Sequence, residues 1–126
     1  MRAFKISIAL LITIILGSIV YIYWLNTTSN NLLSKIDKLE DAVQSNNWSA
    51  AEKQLDDIQK GWEKTEKWMT TLIDHQEIDA IKITLAKLSQ YVHYKEVADF
   101  MAESATLKLL IKHIPGKEKI NLSNLF

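Results

Sequence analysis

Residues 32–62 read LLSKIDKLEDAVQSNNWSAAEKQLDDIQKGW. Leu32, Ile36, Leu39 and Val43 recur at intervals of four, three and four. That spacing draws one apolar seam along an amphipathic helix. The helix should end near Ser45–Asn46, and Asn47 can cap the next one through its side-chain oxygen. Trp48, Ala51, Leu55, Ile58 and Trp62 then open a second stripe, which Met69 and Ile73 continue. At about 100° per residue these positions stay within about 60° of one another. A second helix of about 26 residues is expected, with Gly61 as its weak point. Two amphipathic helices joined so tightly must lie antiparallel, and neither buries its seam alone.

The same grammar continues toward the C-terminus. Asp74-His75-Gln76-Glu77 resembles a capping box with Asp in the Ser/Thr place. It should open a third helix with the seam Ile78, Ile81, Leu85, Leu88 and Val92. A break is expected near His93–Tyr94, although no Gly or Pro marks it. A fourth helix carries Phe100, Ser104, Leu107, Ile111 and Ile114 on one face, and Pro115-Gly116 should end it. Residues 115–126 are left as a tail without a clear period, in which Ile120, Leu122, Leu125 and Phe126 need shelter. The fold class is therefore all-α: residues 32–114 form an antiparallel bundle, or stacked helical hairpins, of about four helices. No 34-residue period of the tetratricopeptide kind is present.

Toward the N-terminus the pattern changes. Ile6–Leu25 reads ISIALLITIILGSIVYIYWL, without a single charge. A hydrocarbon core of about 30 Å is crossed by about 20 helical residues. Ser7, Thr13 and Ser18 can each bond back to their own helix. Arg2 and Lys5 precede the stretch and no Lys or Arg follows before Lys35. The positive-inside rule then places residues 1–5 in the cytoplasm and the helical domain outside. Tyr21, Tyr23 and Trp24 suit the far interface. A cleaved signal peptide would have a shorter apolar region ending in small residues, so a retained single-pass signal-anchor is expected. Ala9, Thr13 and Gly17 share a face that could bring two membrane helices together, or could be ordinary membrane composition. The polar run 26–31 is expected as a short hinge, although it lacks Gly and Pro and one continuous helix could pass through it.

Composition narrows the chemistry. The 126 residues carry 15 Lys+Arg against 15 Asp+Glu and no Cys. Balanced charge argues against a nucleic-acid partner, and the missing thiol excludes disulfides, thiolate metal sites and cysteine nucleophiles. No phosphate loop, nucleophile elbow or H-E-x-x-H is present, so neither an enzyme nor a cofactor is expected. The densest set of possible ligands is Asp74, His75, Glu77 and Asp79, which could hold a metal ion or simply cap and solvate a first helical turn. His93 and His113 stand apart. Trp68, Ile83, Tyr91 and Tyr94 fall off the seams of their helices and are the expected partner-contact residues, unless they pack a second neighbour. The expected partners are membrane lipid along Ile6–Leu25 and, for the domain, a membrane protein or a second copy.

These stretches resemble the bacterial family called domain of unknown function 4363. The resemblance is carried by Asn47-Trp48, by Gly61-Trp62-Glu63-Lys64 with Trp68, and by the run Leu72–Asp79. Leu85-Ala86-Lys87-Leu88 and His113-Ile114-Pro115 with Lys117-Glu118-Lys119 add to it. The resemblance implies a short basic start, one span and a helical domain. It implies no activity, so no catalytic residue is carried over.

Overall fold

The computed structural model describes residues 1–71 and 73–125, with side chains described through Lys117 apart from Leu72. Four helices follow one another: α1 (Arg2–Gln44), α2 (Trp48–Met69), α3 (His75–His93) and α4 (Val97–Leu125). No strand occurs among the described residues. Each helix packs on the next, and α4 closes back on α1, so the arrangement is an up-down-up-down four-helix bundle.

The longest element is α1. Its first 20 residues project free of the bundle, with Ser7, Thr13 and Ser18 donating to the carbonyls of Ala3, Ala9 and Ile14. The buried stripe then starts at Leu25, and the expected seam of Leu32, Ile36, Leu39 and Val43 follows it with Ser29. The hinge expected at 26–31 does not break the helix: α1 passes through it unbent in secondary structure. Leu25 and Leu32 are buried on either side of this run and Ser29 within it, and burial at helical spacing outweighs the weak propensity of its Asn and Thr residues.

The core is built from the four seams. Leu39, Val43, Ala51, Leu88, Phe100 and Leu107 are fully buried within it. A constant offset of 49 residues carries Leu32, Ile36, Leu39 and Val43 onto Ile81, Leu85, Leu88 and Val92. It also carries Ala51, Leu55, Ile58 and Trp62 onto Phe100, Ser104, Leu107 and Ile111. The hairpin α1–α2 is thus repeated in space by α3–α4. The turns repeat bond for bond. Asn46 N–H donates to Val43 and Asn47 N–H to Ala42; Lys95 N–H donates to Val92 and Glu96 N–H to Tyr91. Both turns are Schellman motifs with a left-handed residue, Asn46 at φ 56° and Lys95 at φ 58°. This is why α3 stops at His93 without glycine: its last carbonyls are satisfied by the turn itself.

Two boundaries differ from expectation. Helix α2 ends at Met69, and Ile73 reaches the core from the α2–α3 connection. Helix α4 runs through Pro115 to Leu125. Proline at 115 lacks the N–H that would bond the Ile111 carbonyl, but Ile114 and Pro115 are buried and Lys117 is tied to Glu77 on α3. That tertiary anchoring keeps the next turn helical where local chemistry predicts a stop. The shelter expected for Ile120, Leu122, Leu125 and Phe126 lies outside the described side chains.

Candidate functional site

The offset makes the two long seams of the bundle comparable, because α1–α4 in one orientation corresponds to α3–α2 in the other. At the α1–α4 seam, Lys108 Nζ lies 2.7 Å from Asp37 Oδ1 and 2.7 Å from Glu40 Oε2. Ser104, fully buried, donates to Glu40 Oε1 at 2.6 Å. Hydrogen bonds to Asp37 and Glu40 hold the Lys108 amine above the ordinary lysine range. The seam is closed by this network.

The corresponding four residues at the α2–α3 seam are Ala86, Ser89, Leu55 and Gln59. None is charged, and all four line open clefts of about 380 Å³ and 280 Å³ that share Asp56 and Gln59. The floor is apolar, with Trp62, Leu55, Leu85 and Val92. Trp62 is buried, and its indole Nε1 has no hydrogen-bond partner among the described residues. The rim carries Glu52, Asp56, Glu63 and Glu66 against Lys60 and Lys82. Both lysines are committed: Lys60 to Asp56 at 2.7 Å and Lys82 to Glu66 at 3.0 Å. Those hydrogen bonds raise both amines above their usual value. Acid therefore exceeds base along the groove, and the excess is not internally neutralised.

The residues expected at an interface do not converge on one patch. Trp68 is 73% exposed in the last turn of α2, whereas Tyr94, 67% exposed, caps the opposite end of α3. Ile83 is 58% exposed and sits about 16 Å along α3 from Tyr94. Tyr91 is partly buried against the core, so it is mainly a packing residue. The acidic set is also dispersed into structural tasks. Asp74 Oδ1 accepts from Gln76 N–H at 3.0 Å, which caps the helix at its second residue and not at Glu77, the third, as the expected capping box would. Glu77 does not reach back to complete the box, because it turns to Lys117 at 2.9 Å and to His113 at 3.7 Å on α4. No group of three or more His, Asp or Glu able to hold a metal forms among the described residues.

The open groove was not read from the sequence. Overlaying the two hairpins at the offset would have found it, since Asp37, Glu40 and Lys108 fall opposite Ala86, Ser89 and Gln59.

The remaining surface feature is α1 itself. It is the one described helix long and apolar enough to cross a membrane, and none of its most apolar 18-residue window is buried. A free apolar helix continued into a small bundle is the architecture that the resemblance implies. Residues 19–125 match the family described as a domain of unknown function, DUF4363. The chain belongs to this family. The match takes in the whole bundle of this DUF4363 protein and begins inside the apolar half of α1. No curated protein and no solved structure matches the chain.

Proposed function

We propose that this DUF4363 chain is a non-enzymatic, membrane-anchored interaction module. Its bundle stands outside the cytoplasmic membrane and holds a protein partner in the α2–α3 groove. The observation that carries this is the inequality of two equivalent seams: one is locked by Lys108, Asp37 and Glu40, and the other is an acidic cleft with an apolar floor. A basic amphipathic helix of a membrane protein has the chemistry to fill it. Ile83 and Tyr94, exposed on the outer side of α3, extend the surface such a partner could cover. Tethering supports the reading, because an anchored domain meets other membrane proteins at high effective concentration, and a modest affinity suffices. The orientation follows from Arg2 and Lys5 before the span and the lack of basic residues until Lys35.

Photo-crosslinking of the full chain in its native membrane tests this. A photoreactive side chain at Ala86, inside the groove, should give a discrete protein adduct, and one at Lys38, on exposed α1, should not. Groove-closing substitutions, Ser89→Glu with Gln59→Lys, should abolish the adduct while helicity is kept. Equal adducts from both positions, or adducts unaffected by closure, would reject the groove. Failure of a membrane-impermeant reagent to label the bundle on intact cells would reject the outward orientation.

A further inference from the structure

The end of the bundle nearest the apolar half of α1 holds an exposed tryptophan that the groove does not use. From the turn at 45–47, α1 runs back to Leu25 and α2 runs back to Met69, each a distance of about 30 Å. Trp68 therefore lies at the axial level of Trp24 and Leu25. Lys35 and Gly61 confirm the antiparallel register partway along, since a Cβ on Gly61 would stand 3.7 Å from Lys35 Nζ. Leu25 is fully buried in the bundle, while Tyr23 and Trp24 on the same turns are exposed and Tyr21 stacks on Trp24 at 6.3 Å. The uncharged stretch thus ends at the level of the α2–α3 end of the bundle, and α4, which reaches Leu125, continues about 12 Å past it. No flexible segment separates the stretch from the bundle, because α1 is one helix from Arg2 to Gln44.

We infer that the lower end of the bundle rests on the lipid surface, with Trp68 and Thr71 lodged in the headgroup layer at the depth of Trp24. This rests on the membrane-anchored reading of residues 6–25. Membrane helices tilt by about 20° on average. A rigid stalk passes that tilt to the bundle, so one corner of its lower end approaches the bilayer. The corner with a free indole is the one that gains, since tryptophan favours the boundary between headgroup and hydrocarbon. The contact is made by an indole that prefers the interface itself, so it does not need anionic lipid. Seating the corner fixes both the height and the rotation of the bundle, and so determines which way the α2–α3 groove faces.

The chain has no cysteine, so a single introduced thiol is unique. Spin labels at Ile12→Cys, Thr71→Cys and Gln44→Cys, all exposed positions, are read in full-length protein reconstituted into phosphatidylcholine vesicles. Accessibility to oxygen reports lipid, and accessibility to a water-soluble nickel chelate reports solvent. Position 12 should be deep, position 44 fully aqueous, and position 71 shielded from nickel several-fold relative to 44. Trp68→Ala should bring position 71 close to the value at 44 and leave position 12 unchanged. If 71 matches 44 in the unsubstituted protein while 12 is deep, the surface contact is wrong and the anchor stands. If position 12 is itself open to nickel, the anchor and the contact both fall. Only this protein and lipid are present, so a protein partner on Trp68 would register as an aqueous position 71.

Discussion

The α1–α4 and α2–α3 seams are the two equivalent junctions between copies of one hairpin, yet a charged network locks the first and an open cleft runs along the second. Both are backed by buried stripes, although Ala51, Leu55 and Trp62 on α2 stand where α4 has Phe100, Ser104 and Ile111. The difference lies in three positions at the rim, where Asp37, Glu40 and Lys108 are replaced by Ala86, Ser89 and Gln59. Shortening those side chains leaves space, and the nearby carboxylates of Glu52 and Glu63 leave it negative. A repeated scaffold can thus keep its core twice while one seam is locked by charge and the other is left open.

The comparison can be broken hardest in the core. Leu39→Ala and Leu88→Ala remove side chains that are both 0% exposed and related by the offset. Each should cost about 2–5 kcal/mol in urea unfolding followed by helicity in micelles. Losses of similar size would show that the repeat is energetic as well as geometric, and a neutral Leu88→Ala would break it. Next comes the rim. Glu40→Ala deprives buried Ser104 of its acceptor and should cost about 1–3 kcal/mol, whereas its counterpart Ser89→Ala should stay within about 0.5 kcal/mol. A smaller change, of opposite sign, is expected at the turns. Lys95→Gly should raise stability by about 1 kcal/mol, because a side chain at φ 58° is strained. Asn46→Gly should give less in the same thermal melt, since asparagine tolerates that conformation better.

The smallest effect is in alkali. The Lys108 amine is raised above its ordinary value of 10.5, so its contribution to stability is complete below that value. It is lost as pH rises through the higher folded value. Unfolding at pH 9 and at pH 11 should differ more for the unsubstituted protein than for Lys108→Met. An equal difference would show that the closed seam does not depend on the charged amine.

Much of the bundle was legible because its signals are local. Val43 and Val92 end seams that a helical wheel displays without any structure, and Asn47 and Asp74 cap as their side chains allow. The break expected near His93–Tyr94 falls where α3 ends, but its reason is not legible, because a Schellman turn on lysine carries no compositional mark. Pro115 and the run 26–31 were misleading for one shared cause. Each looks like an interruption on its own helix, and each is held helical by neighbours far away in sequence. Trp68, Ile83 and Tyr94 are off-seam and exposed, as their wheel positions suggest, but a wheel does not say which end of the bundle each one occupies.

By itself the sequence determined that the chain is all-α, where its four seams lie, and that residues 6–25 form an uncharged helix of membrane length. Apolar periodicity and helix capping act within one or two turns, so they can be read from neighbours along the chain. Only the tertiary structure decided which seams close, which helix ends share a level, and that the apolar helix enters the bundle without a joint. Those outcomes depend on side chains brought together from tens of residues apart, where the packing of one helix against another overrides what each segment prefers alone.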